Sequence, residues 1–558
     1  MDFNYEKSLL YSVLLGNGKL NVALGNTLEV RRFFYPIDEV HDVILKLGLY
    51  EKQLNSPAKK LRWIELEEKD ASLNGFILST GYFNMFVDAY EPIFALKINH
   101  GGESALLWKM RIGTTSIGSG VEYTDGIFLF YKRNYCFGMK GDFLDYACGY
   151  GNLVEELESG CLDRNRFAMK DCGAAAILEP NAKVLIAAGL SSKEILNVLE
   201  KAESYEEMEK RTAEFWQNNA DGDKLIRASR YVFRVLQHEN GAIIAAPEID
   251  PEFRYCGGYG FSWVRDCSYV AKALTCLNEQ ERAKRLLQWI AGVGIRGEFR
   301  QRYYTNGNPA PSWSLQLDQA GTFIWAVWEY WKAFEDDKFV KEIAKEIRSC
   351  ADYIANCTKI PLPQTDLWEE RKSFHAYTYA SAYCGLIKAH QMLGDLGLAE
   401  ERWLHDANSI KAAFSERFWE KHSKRFMRSV DVSARDSTVD SSLIGIAVPF
   451  EVIEPKDERM LSTIKTIEKR LMTEAGLMRY EFDVYPRGES AWPLCTAWLA
   501  WYYKVIGENE RASALLEKVE KCANRFGFLP EQVDTAFKPK WVIPLSWSHA
   551  MYVIAKRA

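Results

Sequence analysis

Two short segments each place a glutamate where it could act as a general acid or base. Glu531 lies in Leu-Pro-Glu-Gln at 529–532, just before a polar loop that two prolines interrupt. Far upstream, Glu369 lies in Leu-Trp-Glu-Glu-Arg at 367–371. Catalytic side chains often lie on loops held by rigid elements, although an ordinary connecting loop would look the same. Two such carboxylates suffice for acid–base hydrolysis.

Other catalytic chemistries lack their usual motifs in this sequence. There is no His-Glu-x-x-His, no Cys-x-x-Cys and no other pair at zinc spacing. A Gly-x-Ser-x-Gly elbow and a phosphate-binding loop are also missing. We therefore predict an enzyme that uses paired carboxylates and needs neither metal nor cofactor.

Length and composition limit the partners. A chain of 558 residues exceeds one ordinary core and predicts two domains. Its net charge of −6 argues against a nucleic acid or an anionic membrane as partner. The 17 Trp and 28 Tyr, many in polar stretches, are equally compatible with a large core and with a sugar ligand.

The compartment is predicted from the cysteines and the start of the chain. The 12 cysteines are scattered, and several fall in apolar helical patterns that are typical of free thiols. The first residues show no signal peptide, and no run is long and apolar enough to span a membrane. We therefore predict a cytoplasmic protein.

The patterning changes once along the chain. Residues 1–190 contain many short β-rich stretches, with an Asn-Gly turn signal at 17–18, and predict a β-sandwich. Residues 191–221 predict a helical linker, in which Ser204 and Glu207 form a capping box.

Residues 222–558 have a helical period. About twelve segments predict helices, including 338–357, 438–447 and a closing helix capped by Ser546. Long loops recur after about every second helix. Six helical hairpins closed into an (α/α)6 barrel would explain this pattern.

Several of these loops combine aromatic and charged residues just before a helix. They lie at 257–266, 312–319 and 479–492. Loops of this kind at one end of a barrel would build a pocket suited to a pyranose. Within the first loop, Arg265 and Asp266 could clamp a substrate, although an adjacent Arg-Asp pair is more often a structural ion pair.

Taken together, five blocks resemble glycoside hydrolase family 15, the glucoamylase family, and most closely its prokaryotic members. Those members join an N-terminal β-sandwich through a helical linker to an (α/α)6 barrel. The layout of the whole chain fits, while the specific motifs lie within 257–549. The blocks are Tyr259 with Trp263-Val-Arg265-Asp266, Leu367-Trp368-Glu369-Glu370, Arg479-Tyr480, Pro530-Glu531-Gln532 and the Pro-Leu-Ser-Trp-Ser-His segment from Pro544.

This resemblance implies Glu369 as the general acid and Glu531 as the general base. The acid must carry a proton for the glycosidic oxygen, and the base must be ionised to activate water. Trp368 would raise the pKa of Glu369 by desolvation. The implied enzyme is an exo-acting α-glucosidase that inverts configuration and releases β-glucose from α-glucans or malto-oligosaccharides, without a cofactor.

The same resemblance implies the substrate-binding residues. Arg265 and Asp266 would hold the terminal glucose, Arg479 another hydroxyl, and Glu370 the leaving sugar. Tyr259 would orient the base or its water. Trp263 and Trp492 would line the pocket, although they, like Trp547, are equally compatible with the barrel core. A packed histidine is the favoured interpretation of His549.

Departures from the family pattern leave the substrate open. The chain has Gly-Glu-Ser-Ala-Trp at 488–492 where members often have Gly-Asn-Pro-Trp, and Arg371 follows the acid pair. Trehalase and an α-1,6-specific glucodextranase are the nearest alternatives. A disaccharide phosphorylase would not need Glu531, because phosphate is its own nucleophile. An inactive glucan-binding protein would not need both carboxylates.

Overall fold

The computed structural model divides the chain into two compact units, Met1–Arg227 and Ala228–Ala558. Parts of two predicted loops, at 249–257 and 486–489, lie outside the described residues, and with them Gly257, Gly488 and Glu489. The structure describes residues 11–52, 59–113, 117–218, 221–248, 258–312, 314–359, 363–431, 435–485 and 490–558.

The first unit contains two antiparallel sheets, which confirms the predicted sandwich class. One has the order β1-β2-β3-β4-β10-β16-β14 with β5 on β4, and the other the order β15-β11-β12-β13-β17-β9-β8-β7-β6. The strands are β1 Val13–Gly16, β2 Asn21–Leu24, β3 Val30–Phe34, β4 Val40–Lys52, β5 Lys59–Trp63, β6 Ser72–Asn74, β7 Ile77–Ser79, β8 Phe83–Val87, β9 Ile93–Ile98, β10 Ser104–Ile112, β11 Gly120–Thr124, β12 Ile127–Lys132, β13 Tyr135–Gly141, β14 Phe143–Gly149, β15 Phe167–Met169, β16 Gly173–Leu178 and β17 Lys183–Gly189.

Among the described residues, the 3-10 helix Glu68–Asp70 and three α-helices accompany these sheets: α1 (Leu153–Ser159), α2 (Ser192–Lys201) and α3 (Tyr205–Asn218). The predicted capping box is confirmed, because Ser204 Oγ accepts from the Glu207 N–H at 3.3 Å and Glu207 Oε2 from the Ser204 N–H at 3.0 Å. Both α2 and α3 pack into an apolar cluster of the nine-stranded sheet. The boundaries 1–190, 191–221 and 222–558 stay predictions.

The second unit is helical. Short strands lie in its loops: β18 Gln364–Thr365, β19 Lys372–His375, β20 Trp419–Glu420, β21 Arg425–Phe426, β22 Ser429–Val430 and β23 Arg435–Asp436. Its helices are α4 Lys224–Leu236, which begins within the first unit, α5 Val264–Cys276, α6 Gln280–Val293, α7 Leu317–Phe334, α8 Asp337–Glu342, α9 Ala344–Lys359, α10 Ala376–Gly394, α11 Glu401–Phe418, the 3-10 helix Ser441–Ile446, α12 Glu458–Leu471, α13 Pro493–Ile506, α14 Asn509–Cys522 and α15 Ser546–Arg557.

Three helix predictions were wrong in detail. The segment 338–357 is two helices, because the chain turns at Ile343, whose N–H bonds back to Phe339. The segment 438–447 contains only a 3-10 helix, which Pro449 prevents from continuing. The closing helix covers the predicted range 546–557, but its N-cap is Leu545, and Ser546, the predicted cap, is its first residue.

Six of these elements form an inner ring. The helices α5, α7, α10, the 3-10 helix, α13 and α15 contact one another in that order, and α15 closes the ring onto α5. Outer helices α6, α9, α11, α12 and α14 pack against them, and Ser229 of α4 bonds His549 of α15. Because an inner helix is covered on all sides, it must be apolar all round, and every residue of α13 from Pro493 to Tyr503 is buried. This arrangement is the predicted (α/α)6 barrel.

Candidate active site

A single cavity of about 270 Å³ receives all ten residues that the sequence nominated. Its walls come from the loops that precede inner-ring helices and from the first turns of those helices. The nominated residues in its lining are Tyr259, Trp263, Arg265, Asp266, Trp368, Glu369, Glu370, Arg479, Trp492 and Glu531. Their individual roles stay predictions.

Helix starts fix several of these side chains. Trp263 and Trp492 are the N-cap residues of α5 and α13, and Arg265 and Asp266 occupy the first turn of α5. Trp547 lies in the first turn of α15 and also lines the cavity. Side chains in a first helical turn have little freedom, because the backbone beneath them is already fixed. The tryptophans are therefore both packed and part of the cavity wall.

Glu369 is surrounded by donors. Trp263 Nε1 donates to Glu369 Oε1 at 2.8 Å, Arg265 Nη2 lies 3.3 Å from the same oxygen, and Gln301 Nε2 donates to Oε2. Burial raises the pKa of Glu369, and the positive charge of Arg265 opposes that rise. The net upward direction favours a carboxyl that keeps its proton.

The turn that carries Glu369 is held by an aspartate. The Asp366 carbonyl accepts from the Glu369 N–H at 3.0 Å, and Asp366 Oδ1 accepts from the N–H groups of Glu370 at 2.8 Å and Arg371 at 3.2 Å. Glu369 itself has a φ of 67°, which is unusual for a residue with a side chain. A turn held at several points can keep a backbone conformation of this kind.

Glu531 has a different set of partners. The Tyr259 hydroxyl donates to Glu531 Oε1 at 2.8 Å, and Gln532 Nε2 lies 3.4 Å from Oε2. Burial raises the pKa of Glu531 to about 8, and the Tyr259 hydrogen bond is the largest effect that opposes it. A hydroxyl donor of this kind stabilises the ionised form that a base requires.

Helix α15 supports the loop that carries Glu531. His549 Nε2 accepts from the Leu529 N–H at 2.9 Å, so its Nδ1 carries the proton and donates to Ser229 Oγ at 2.9 Å. Ser548 Oγ donates to the Pro530 carbonyl at 2.8 Å. Burial lowers the pKa of His549 to about 3. The interpretation of His549 as a packed histidine is thus confirmed.

Arg265 is a buried cation among three carboxylates. Its Nη1 donates to Asp318 Oδ2 at 3.2 Å, whereas its Nε lies 3.8 Å from Asp266 Oδ1. Burial raises the pKa of Asp266 to about 7, against the opposing charge of Arg265. The structural ion pair of Arg265 is therefore made mainly with Asp318, and Asp266 faces the cavity.

On another wall, Glu370 is bound through both carboxylate oxygens. Arg479 Nη2 donates to Oε1 at 2.6 Å, and the Tyr480 hydroxyl donates to Oε2. Arg479 also forms a bidentate pair with Asp483, with Nε–Oδ2 and Nη2–Oδ1 distances of 2.9 and 2.8 Å. This network gives the cavity a rigid polar wall.

Several residues of the site escaped sequence analysis. Arg302 and Tyr485 line the cavity. Gln301 and Asp318 contact its charged groups, and Asp366 holds the backbone of the turn that carries Glu369 and Glu370. Asp318 lies within the loop 312–319 that the sequence flagged as polar, but no pattern pairs it with Arg265. Distant pairs of this kind become visible only when the helices are placed.

The described residues contain neither a metal-binding cluster nor a membrane-spanning helix. No group of three or more His, Cys, Asp or Glu side chains there could hold a metal ion. Within the same residues, no helix is long and apolar enough to cross a membrane.

A sequence profile of glycosyl hydrolases family 15 matches residues 229–557, more than half of the chain. An uncharacterized glycosyl hydrolase of Methanocaldococcus jannaschii is 32% identical over 57% of this chain and 53% of its own length. Trehalase 2 of Sulfolobus acidocaldarius is 26% identical over 55% of this chain and 58% of its own length. Isomaltose glucohydrolase of Kribbella flavida is 26% identical over 59% of this chain and 91% of its own length.

The matched regions span 53% and 58% of the first two of these relatives, and so only part of each. Among solved structures, a bacterial glucoamylase complexed with acarbose superimposes with a TM-score of 0.79. That match covers 98% of this chain and 94% of the other at 17% identity. At this identity the likeness shows the fold, a β-sandwich followed by a helical barrel.

Proposed function

Since the chain belongs to glycosyl hydrolases family 15, we propose that it is an exo-acting, inverting α-glucosidase of the glucoamylase type. It would release β-glucose from the non-reducing ends of α-glucans or malto-oligosaccharides. The observation that carries this proposal is the pair of buried carboxylates, Glu369 and Glu531, that line one cavity with different partners.

In the proposed mechanism Glu369 protonates the glycosidic oxygen. Its raised pKa supports this role, and Trp263 and Arg265 fix the direction of its carboxyl. Glu531 takes a proton from the water that attacks the anomeric carbon from the opposite face. A single displacement of this kind inverts the configuration, so an α-linked substrate gives β-glucose.

Different walls of the cavity would bind the terminal glucose and the leaving sugar. Arg265 and Asp266 would bind hydroxyls of the terminal glucose, because both line the cavity from the first turn of α5 and Arg265 lies 3.3 Å from the acid. Glu370, held by Arg479, would bind the leaving sugar. A cavity of about 270 Å³ is near the lower end of typical ligand sites and suits attack on a chain end.

Two other linkages are realistic alternatives on the same site. Similar proteins named trehalase and isomaltose glucohydrolase favour α,α-1,1 and α-1,6 linkages respectively. All three reactions need the same terminal glucose and the same carboxylates. They differ only in how the leaving sugar lies against the wall formed by Glu370 and Arg479.

A disaccharide phosphorylase and an inactive glucan-binding protein are weaker alternatives. Tyr259 and Gln532 orient the Glu531 carboxylate toward the cavity, an arrangement that phosphate attack would not require. An inactive protein would have no need for two buried carboxylates, whose burial is unfavourable. We further propose a cytoplasmic enzyme that acts without a cofactor and without a nucleic-acid or membrane partner.

A substrate panel tests the proposal. The purified protein is incubated with maltose, maltotetraose, isomaltose and trehalose, with and without phosphate, and the products are separated. We expect free glucose from maltotetraose, faster than from isomaltose or trehalose and independent of phosphate. A preference for trehalose or isomaltose would move the assignment to that linkage. Glucose 1-phosphate would contradict hydrolysis.

A further inference from the structure

One buried arginine behind the cavity connects several of its supports. Arg428 lies between β21 and β22 and is 3% exposed. Its Nη2 donates to Asp366 Oδ2 at 2.6 Å, and its Nε lies 3.1 Å from Asp440 Oδ2. Its guanidinium carbon is 4.5 Å from the centre of the Tyr480 ring.

Each of these three partners contacts the segment that carries the proposed acid. Asp366 accepts the N–H groups that close the turn around Glu369. Asp440 accepts from Trp368 Nε1 through both oxygens, at 3.1 and 3.0 Å. The Tyr480 hydroxyl donates to Glu370. Arg428 thus supports three consecutive residues, 368–370, without lining the cavity itself.

We propose that Arg428 is a positioning residue for the general acid. This inference rests on the proposed function, because it assumes that Glu369 protonates the leaving group. Arg428 sets the orientation of Asp366 and Asp440 at the same time, and these two carboxylates fix the turn and its tryptophan. The guanidinium uses one nitrogen for the hydrogen bond to Asp366 and another for the ion pair with Asp440, whereas a lysine has a single ammonium on a flexible stem.

The proposal predicts a loss that depends on the leaving group. A shifted Glu369 would transfer its proton poorly, and a displacement of about 1 Å can lower a rate by roughly 10²-fold. A sugar alcohol leaves only when it is protonated, whereas fluoride leaves with little protonation. A merely structural role for Arg428 would instead reduce the two rates by the same factor, through the folded fraction.

The test compares Arg428→Lys with the wild type on two substrates. One is the disaccharide that the wild type hydrolyses fastest, and the other is α-glucosyl fluoride. We expect kcat on the disaccharide to fall by roughly 10²-fold, and kcat on the fluoride to fall far less. Arg425→Lys is the matched control, because Arg425 is also buried, at 7% exposure, but donates to backbone carbonyls.

A second variant keeps the proposal testable if lysine disturbs the fold. Arg428→Ala removes the side chain, and added guanidinium at a concentration below the unfolding range should restore disaccharide hydrolysis. Arg425→Ala should gain nothing from the same addition. Equal losses on both substrates, or no rescue of a folded Arg428→Ala protein, would overturn the proposal. A wild type inactive on both substrates would instead refute the proposed function.

Discussion

The two carboxylates of the cavity are both buried, but they have different neighbours. Glu369 receives an indole N–H, an amide N–H and the charge of Arg265. Glu531 receives, among the described residues, hydrogen bonds from the neutral side chains of Tyr259 and Gln532. Burial raises both pKa values and brings that of Glu531 to about 8.

This difference shows that the position of each carboxylate and its protonation state have separate causes. Hydrogen bonds fix the position, and the balance between burial and nearby donors or charges sets the pKa. The arginine beside Glu369 stabilises the charged form, while the role of an acid needs the protonated form, so burial has to outweigh the charge. Glu531 has the reverse problem, because burial opposes the ionised form that a base needs. The Tyr259 hydrogen bond first, then the charge of Arg479 and the Gln532 amide, favour that form. Variants at the two glutamates, at Arg265 and Asp266, and at Tyr259 test each half of this comparison.

The largest effect is expected from Glu531→Gln. A base is needed whatever the leaving group, so hydrolysis of the disaccharide and of α-glucosyl fluoride should both fall, by roughly 10²–10⁴-fold. Steady-state kcat on both substrates measures this. Glu481→Gln is a control, because Glu481 is a buried carboxylate outside the cavity lining. Retained activity in Glu531→Gln would remove Glu531 from the mechanism.

Glu369→Gln should separate the two substrates. Without the acid, a sugar leaving group departs poorly, and kcat on the disaccharide should fall by roughly 10²–10⁴-fold. The rate on α-glucosyl fluoride should be much better preserved, since fluoride needs little protonation. The ratio of the two kcat values is the measurement. An unchanged ratio would mean that Glu369 is not the acid.

A smaller loss is expected from Asp266→Asn and Arg265→Ala. Each change removes a partner of a bound hydroxyl and should weaken the transition state by about 2–4 kcal/mol. Arg265→Ala should be the more severe, because it also leaves Asp318 without its cation. The comparison uses kcat/KM together with thermal melting. Turnover near the wild-type value in both variants would assign the pair a structural role alone.

The smallest effect concerns pH. Because the folded pKa of Glu531 is raised, the rate should increase as pH rises through the neutral range and the base loses its proton. Tyr259→Phe removes a donor to the ionised carboxylate, raises the pKa of Glu531 further, and should move the acidic limb of kcat/KM to higher pH. Tyr502→Phe, which loses a hydrogen bond to the Pro455 carbonyl, should leave that limb in place. A shift to lower pH in Tyr259→Phe would contradict the assignment.

The spacing of apolar residues in the sequence predicted the β-sandwich, the helical barrel and most of the inner helices, because that spacing directly reflects which side chains are buried. The same spacing failed at 438–447, where the apolar period continues but Pro449 limits the chain to a 3-10 helix. The motif residues all reached one cavity, since each lies in a loop that leads into an inner-ring helix or in the first turn of one. Asp366, Asp318 and Arg428 could not be assigned from the sequence. Asp318 lies 53 positions from Arg265, and Asp366 lies 62 positions from Arg428. The other contacts of Asp366 depend on a backbone turn, and no local signal encodes such pairs.

The configuration of the first product tests the central claim most directly. If Glu369 and Glu531 act from opposite faces with a water between them, their carboxyl groups should lie about 6.5–9.5 Å apart, too far for Glu531 to attack the sugar itself. Proton NMR during the first minutes of hydrolysis, before mutarotation, should then show β-glucose. Initial α-glucose would contradict the inverting mechanism and the role of Glu531 as base.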